Sequence, residues 1–186
     1  KQGDTGKTGL LYGGRVSKND PRCKACGTID ECVSAMGLAR VQSKDQLVKE
    51  ILYRFQRELF TVAAELSTAE KEYQKLKTHF GVVTVDMTSN IELMIDELNS
   101  KMTIPRAFII PGASVASAAI DLARTILRRA EREAVSLQER QLLVNPEVLR
   151  YLNRLSDLLF MLARFEDRSL PMEILNPERS KLHGET

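Results

Sequence analysis

Long segments with few or no helix breakers, each with a helical hydrophobic period, restrict the fold of this sequence more than any other feature. Between these segments the helix breakers cluster, and within them apolar residues recur every three or four positions. The pattern predicts helices at about 20–40, 44–67, 69–79, 89–102, 114–137 and 146–166. The only β-like run, GVVTVDM at 81–87, is too isolated to make a sheet. We therefore predict an all-α, antiparallel bundle of four or five long helices.

Two of the predicted helices have recognisable start signals. Asn145-Pro146 gives the last helix a capping residue and then a proline in its first turn. Ser114 gives the preceding helix a capping hydroxyl. The predicted core stripes of these two helices consist of Ala119, Leu122, Ile126 and Ala130, and of Leu152, Leu155, Leu159 and Leu162. We expect one domain at 1–168 and an irregular C-terminal tail at 169–186.

Composition excludes several classes of protein. The 186 residues are 43% hydrophobic and 28% charged, which is typical of a soluble globular domain. The net charge of +2 is too small to indicate a nucleic-acid or membrane partner. No apolar run approaches the roughly 18 residues of a spanning helix, and no signal-peptide pattern is present. Three cysteines do not indicate a disulfide framework, so we expect a cytoplasmic location.

The sequence GDTGKTGLLYGG, which begins at Gly3, has the glycine and lysine content of a phosphate-binding loop. It is not a Walker A loop, because Gly6, Lys7 and Thr8 would require a glycine at position 1, which is Lys1. Glycines nevertheless let backbone N–H groups approach an anion closely, and nearby lysine and arginine side chains add positive charge. Composition alone equally allows a flexible basic arm that binds nothing.

The three cysteines have a metal or redox interpretation and a packing interpretation. Cys23 and Cys26 form a C-x-x-C pair, but a structural zinc site needs four ligands and the sequence has no second pair. On a helix, Cys23 and Cys26 share a face and Cys32 points away from it. We therefore expect three packing residues and no metal site.

Three further features allow both a structural and a functional interpretation. Asp30 lies within a stripe of small and apolar residues, so it is either solvated at the rim or paired with a cation. Arg124, Arg128 and Arg132 form a ridge opposite the core stripe of their helix. This ridge is either a solvated face or a phosphate-binding surface covered by another subunit. Asn153 lies off the core stripe and, considered alone, would be a surface amide.

Five sequence blocks occur together in a characteristic order: GDTGKTGLLYGGRVSK, GTIDE, FIIPGAS, ARTILRRAER and YLNRLSDLLFMLAR. With these blocks, the chain from about Gly3 to Arg164 closely resembles the PduO-type ATP:cob(I)alamin adenosyltransferases. The resemblance implies a five-helix up-down bundle with a glycine-rich N-terminal loop, assembled as a homotrimer with an active site at each subunit interface. It also implies transfer of the 5′-deoxyadenosyl group of ATP to the cobalt of cob(I)alamin, which yields adenosylcobalamin and inorganic triphosphate.

The resemblance also implies which residues bind the nucleotide. The loop at 1–19 would wrap the triphosphate. Its candidate contacts are Gln2, Gly3, Asp4, Gly6, Thr8, Gly9 and Lys18. The helices of the neighbouring subunit would complete the site. Their candidate contacts are Arg128, Arg129, Glu131, Arg132 and Asn153.

Four residues are implied as catalytic. Arg128 would stabilise the triphosphate, and Asp30 with Arg124 matches the family's intersubunit salt bridge. Phe108 matches the aromatic residue beneath the corrin ring. The implied co-substrate is ATP with Mg²⁺, and the implied substrate is cobalamin. A reductase that supplies electrons and an adenosylcobalamin-dependent enzyme that receives the product are the implied partners.

The sequence departs from the family pattern at a few positions. The family usually has threonine at Gln2, and tyrosine and leucine at Cys26 and Cys32. It also has PGGS where this chain has PGAS at 111–114. A non-catalytic carrier of corrinoid and ATP is the alternative function, and a monomeric helical interaction module with a solvated arginine face is a third.

Overall fold

Residues 3–175 are described by a computed structural model, and they contain six α-helices and one two-stranded sheet. The helices are α1 (Pro21–Gln42), α2 (Gln46–Leu66), α3 (Tyr73–His79), α4 (Val85–Ser100), α5 (Val115–Glu139) and α6 (Glu147–Glu166). The strands are β1 (Lys7–Gly9) and β2 (Arg15–Ser17), which pair antiparallel within the glycine-rich loop. The predicted all-helical character is confirmed for the part of the chain that follows this loop.

The five-helix count implied by the resemblance and the predicted absence of a sheet are both corrected, whereas each of the six helix ranges predicted from the sequence overlaps an observed helix. The sixth helix is the seven-residue α3, which a 3-10 turn at Glu70–Glu72 separates from α2. The β-like run at 81–87 is not a strand, because the side chain of Thr84 accepts a hydrogen bond from the backbone N of Met87 (3.3 Å) and caps α4. The sheet is formed instead by two three-residue strands that carry little hydrophobic signal.

Both predicted helix starts rest on side-chain caps. Ser114 and Ser117 form a reciprocal capping box at the start of α5. The side chain of Asn145 accepts a hydrogen bond from the backbone N of Glu147 (3.1 Å), the first residue of α6. These bonds satisfy N–H groups that have no partner within the helix.

The helices pack in the order α2, α1, α5, α6, α4, each against the next. The four leucines predicted as the core stripe of α6 are all fully buried, which confirms that prediction. Tyr151 and Phe55 are the largest buried side chains, and the Tyr151 hydroxyl donates to the Glu58 carboxylate at 2.9 Å. Among the helices of residues 3–175, none is both long and apolar enough to cross a membrane.

The predicted core stripe of α5 is correct except for one residue. Ala119, Ile126 and Ala130 are buried, but Leu122 is 52% exposed. The buried stripe is centred on Ala123, and the preceding residue lies about 100° away around the helix. Leu122 therefore falls outside the surface that α1 and α6 cover.

A buried ion pair joins α5 to α6. Arg164 donates to the carboxylate of Asp121, and both side chains are almost completely excluded from solvent. Arg124 makes a longer ionic contact with the same carboxylate, with its Nε 3.6 Å from Asp121 Oδ1. Both guanidinium groups also contact the ring of Phe160, at 5.7 Å for Arg124 and 5.1 Å for Arg164. Asp121 thus holds Arg124 of α5 and Arg164 of α6 beside each other at one edge of the α5–α6 contact.

A second buried carboxylate fastens the connection between α2 and α4. Glu65 accepts hydrogen bonds from the backbone N of Val83, from the Tyr73 hydroxyl at 2.8 Å and from the Asn145 amide at 3.3 Å. Burial raises the pKa of Glu65 above its ordinary value, and these three donors oppose that shift. The α3 segment is therefore held against the starts of both α4 and α6.

Removing one member of the buried pair should be costly. Asp121→Ala leaves the Arg164 guanidinium buried without its carboxylate, so we expect the free energy of unfolding to fall by about 3 kcal/mol or more. Glu97→Ala removes an exposed pair with Lys101 and should change it by less than about 1 kcal/mol. Urea denaturation followed by circular dichroism measures both values. Equal losses in the two variants would contradict the structural role of Asp121.

Candidate active site

The glycine-rich loop folds as a short hairpin. Lys7 pairs with Ser17 and Gly9 pairs with Arg15, and the turn between the strands is closed by a hydrogen bond from Leu10 N to Gly14 O (2.9 Å). The loop is therefore not a Walker A structure, which needs a strand running directly into a helix. It is a hairpin with a closed end at 10–14 and an open end that leads into α1.

The open end of the hairpin brings several predicted nucleotide residues together. The backbone N of Lys18 donates to Gly6 O at 2.8 Å, and the Lys18 ammonium lies beside Gly3, 3.6 Å from where a Cβ would stand. Thr8 immediately precedes Gly9 in β1. Asp4 lies in the exposed turn between Gly3 and Gly6. Gln2 lies outside the described residues.

The arginine ridge of α5 lies on its exposed side, as the sequence predicts. Arg128 and Arg132 are exposed, and the Arg132 guanidinium donates to the backbone carbonyl of Arg128 at 3.0 Å. Arg129 lies about 100° from Arg128 around the helix and pairs with Glu31 of α1. Glu131 accepts a hydrogen bond from the Asn153 amide at 3.0 Å, so these two predicted residues meet between α5 and α6.

A basic cleft of about 650 Å³ lies between the start of α1 and the second half of α5. Four cations line it, namely Lys24, Arg129, Arg132 and Arg140. Glu133 lies among them, accepting from Thr28 at 2.6 Å and lying 3.9 Å from the Lys24 ammonium. Sequence reasoning missed Lys24 and Arg140, although both lie one or two turns from predicted arginines or from the end of the loop. Asn19, two residues after the end of β2, also lines this cleft.

Within residues 3–175, the structure does not bring Asp30 and Arg124 together. Asp30 is exposed on α1 and has no ion-pair partner in the described part of this chain. Arg124 lies against Asp121 instead, and its buried Nε has no hydrogen-bond acceptor among the described atoms. Within the described residues of one chain, the Asp30 carboxylate and the Arg124 guanidinium therefore do not contact each other.

Phe108 lies in the connection between α4 and α5 and is 82% exposed, an unusual state for a phenylalanine. The backbone beside it is nevertheless ordered by pairing: Ile110 N donates to Glu173 O and Leu175 N donates to Phe108 O, both at 2.8 Å. The first part of the tail predicted as irregular therefore contacts the Phe108 loop. The residues after 175 lie outside the described part of the chain.

Residues 1–166 match the protein family described as cobalamin adenosyltransferase. The chain belongs to this family. It is 36% identical over 167 residues to a corrinoid adenosyltransferase from Citrobacter freundii, an alignment that covers 90% of this chain and 93% of that protein. It is 38% identical over 167 residues to the corrinoid adenosyltransferase PduO of the same organism, and it spans about half (49%) of that relative's length.

A solved structure of the family shares the same fold. A phenylalanine-to-alanine variant of the PduO-type ATP:corrinoid adenosyltransferase from Lactobacillus reuteri, complexed with cobalamin and ATP, superposes with a TM-score of 0.86 at 31% identity. The match covers 95% of this chain and 97% of that one. The resemblance inferred from the five sequence blocks is therefore confirmed.

The cysteines of this adenosyltransferase family member fit the packing interpretation. Cys32 is fully buried against the backbone of Ala123, and burial raises its pKa to about 12. Burial likewise raises the pKa of Cys26 to about 11 and that of Cys23 above its ordinary value. In residues 3–175, no group of three histidine, cysteine, aspartate or glutamate side chains is placed to hold a metal ion.

Thiol reactivity tests this interpretation. At pH 8, a pKa of about 12 leaves on the order of one Cys32 thiol in ten thousand ionised, so a disulfide reagent should not modify it in the folded protein. In guanidinium chloride all three cysteines should react within the dead time. Rapid modification of Cys32 under native conditions, located by peptide mass spectrometry, would contradict the assignment.

Proposed function

We propose that this chain transfers the 5′-deoxyadenosyl group of ATP to the cobalt of cob(I)alamin, producing adenosylcobalamin and inorganic triphosphate. The observation that carries the proposal is that one chain of this family presents two anion-binding surfaces, the open end of the glycine-rich hairpin and the exposed arginine ridge of α5, which a neighbouring subunit would bring together. Backbone N–H groups, lysines and arginines are the groups that bind polyphosphates in proteins.

The nucleotide residues divide between two surfaces. Gly3, Asp4, Gly6, Thr8, Gly9 and Lys18 would wrap the triphosphate from the hairpin, together with Gln2. Arg128, Arg129, Glu131, Arg132 and Asn153 would approach it from the helices of a neighbouring subunit. The hydrogen bond between Glu131 and Asn153 orients an amide at the edge of the arginine ridge, where it can contact the nucleoside. An arginine-to-lysine variant of the Lactobacillus reuteri protein has been solved complexed with ATP.

The reaction requires positioning rather than activation of a nucleophile. Cobalt(I) carries the attacking electron pair, a Co–C bond forms at the 5′ carbon, and the C–O bond to the triphosphate breaks. No base is needed, so the protein has to hold the 5′ carbon in line and stabilise the charge that develops on the leaving group. Arg128, exposed on the ridge and unobstructed by an ion pair within the described residues, suits that second task.

A magnesium ion would arrive with the nucleotide. Mg²⁺ is commonly held by substrate phosphates with one or two carboxylates and several waters, and it needs no dedicated cluster of protein ligands. Within residues 3–175 no such cluster is present, whereas Asp4 lies on the proposed triphosphate loop. When bound, the ion would neutralise part of the triphosphate charge.

Phe108 would act on the reduction that precedes transfer. Its exposed ring, held on a paired loop, could displace the lower axial ligand of cobalamin and leave a four-coordinate cobalt(II). Loss of that ligand makes cobalt(II) easier to reduce, and the electron would come from a separate reductase. The product would pass to an adenosylcobalamin-dependent enzyme.

The proposed assembly is a homotrimer with sites between subunits. Asp30 offers an exposed carboxylate, and Arg124, whose side chain is 27% exposed, offers a guanidinium whose contact with Asp121 is long, 3.6 Å. A salt bridge between subunits would pair these two groups and fix the interface in register. We place this assembly in the cytoplasm, with neither a membrane nor a nucleic acid as partner.

The deciding experiment is anaerobic. The protein is mixed with ATP, magnesium and chemically prepared cob(I)alamin, the visible spectrum is followed, and triphosphate is assayed. Adenosylcobalamin with an equal amount of triphosphate supports the proposal. Binding of both ligands without turnover would replace it with the carrier function, and a monomer that binds neither ligand would indicate an interaction module.

Arg128→Ala should lower kcat by about 100-fold or more while leaving helix content unchanged, because an arginine that stabilises leaving-group charge acts in the transition state. Arg57→Ala, which removes an exposed arginine from α2, is the matched control and should retain normal turnover. A near-normal kcat for the Arg128 variant in the same assay would exclude its proposed role.

Phe108→Ala should impair adenosylation from cob(II)alamin and reductant much more than adenosylation from chemically prepared cob(I)alamin. The reason is that the ring is proposed to act only before cobalt(I) is formed. Phe80→Ala removes another exposed phenylalanine and should affect neither assay. Equal losses in the two Phe108 assays would remove this residue from the reduction step.

A further inference from the structure

The closed end of the hairpin is docked on the turn that follows α2, formed by residues 67–69 and here named the α2 turn. Leu11 N donates to Ser67 O at 3.1 Å, and Ala69 N donates to Tyr12 O at 2.9 Å. Tyr12 and Thr68 form a parallel bridge. A two-stranded hairpin with three residues per strand is marginal by itself, so this docking fixes its direction.

Gly13 is the point of closest approach. Its φ of +128° is a backbone conformation that favours glycine. A Cβ at this position would lie 2.4 Å from the Ala69 Cβ and 3.3 Å from the Ala69 backbone N. Gly14 also has a positive φ, +86°, but a Cβ there would meet nothing within 4 Å. The steric constraint therefore belongs to Gly13 and arises from Ala69.

The α2 turn is itself held rigidly. Thr68 is 1% exposed, and its hydroxyl donates to Ala64 O at 2.7 Å. The buried guanidinium of Arg22, at the start of α1, donates to Leu66 O at 3.3 Å. Arg22 follows the open end of the hairpin by only a few residues. Both ends of the hairpin are therefore attached to the same junction, where the end of α2 meets the start of α1. Lys75 of α3 adds a contact 4.9 Å above the Tyr12 ring.

We infer that Gly13 is a positioning residue for the nucleotide. The lack of a side chain at this position lets the closed end of the hairpin seat on the backbone of the α2 turn and thereby sets the direction of the open end, with Gly6 and Lys18. This inference rests on the proposed function. Gly13 does not touch ATP; it acts through the direction of the hairpin.

Gly13→Ala tests the inference. The new methyl group collides with Ala69 and strains the backbone, and strain of this kind is sufficient to raise the KM and Kd for ATP about tenfold or more. We expect kcat at saturating ATP and the KM for cob(I)alamin to stay near wild type. Amide hydrogen exchange at Leu11 and Ala69, whose N–H groups make the docking bonds, should become faster.

The double variant separates docking from general damage. Ala69→Gly alone keeps the backbone bond to Tyr12 and should bind ATP normally. Combined with Gly13→Ala it removes the atom 2.4 Å away, so ATP affinity and amide protection should recover in part, while the strain of an alanine at φ +128° remains. A double variant as impaired as the single one would overturn the inference, because the effect would then not depend on Ala69.

Failure of this inference is distinguishable from failure of the proposed function. If the wild-type protein forms adenosylcobalamin and the Gly13→Ala variant has unchanged ATP affinity, only the positioning role is contradicted. Faster amide exchange in that variant with unchanged ATP affinity also contradicts the positioning role, since docking of the hairpin would then be weakened without any effect on the nucleotide site. Wild-type protein that does not bind ATP overturns the proposed function and the inference together.

Discussion

The close packing of α5 between α1 and α6 determines where almost every candidate site residue lies. Small side chains make this possible: Ala123, Ala130 and Ala134 are fully buried and allow the neighbouring helices to approach closely. Alanine also loses no side-chain conformational entropy on burial. Once this stripe faces inward, the arginines four residues apart must lie on the outer surface of the helix.

Burial divides the arginines of this family member into two groups with different roles. Arg22 and Arg164 are almost completely buried and are held by a backbone carbonyl and by Asp121, respectively. Burial lowers the pKa of Arg22, so its charge is retained at a cost in solvation. Arg128 and Arg132 are exposed and can exchange water for an anionic ligand. Their spacing in sequence does not reveal this difference; the packing of α5 does.

The sequence predicts the helices well and the smaller elements poorly, for physical reasons. Helix positions follow from a repeated hydrophobic period and from local caps such as Ser114 and Asn145. The hairpin was missed because its strands are three residues long and owe their direction to docking on the α2 turn. Leu122 is predicted to be in the core but is exposed, because the spacing of apolar residues locates the middle of the buried face of a helix only to within about one residue.

The same distinction applies to the candidate site. The family resemblance names the residues, but the cleft between α1 and α5, including Lys24 and Arg140, depends on contacts such as that between Thr28 and Glu133, which lie 105 positions apart. No periodicity in the sequence encodes such contacts. The roles proposed for Asp30 and Arg124 depend further on a second chain.

The pairing of the Phe108 loop with residues 173–175 has a consequence for the order in which the protein matures. The two segments are separated by α5 and α6, so the loop cannot take up this arrangement during synthesis until all six helices have left the ribosome. A nascent chain therefore contains the glycine-rich hairpin and the α5 arginine ridge before Phe108 is set in place. The loop proposed to contact the corrin ring is thus the last candidate segment to be ordered, and a chain that ended before residue 173 would lack the pairing that orders it.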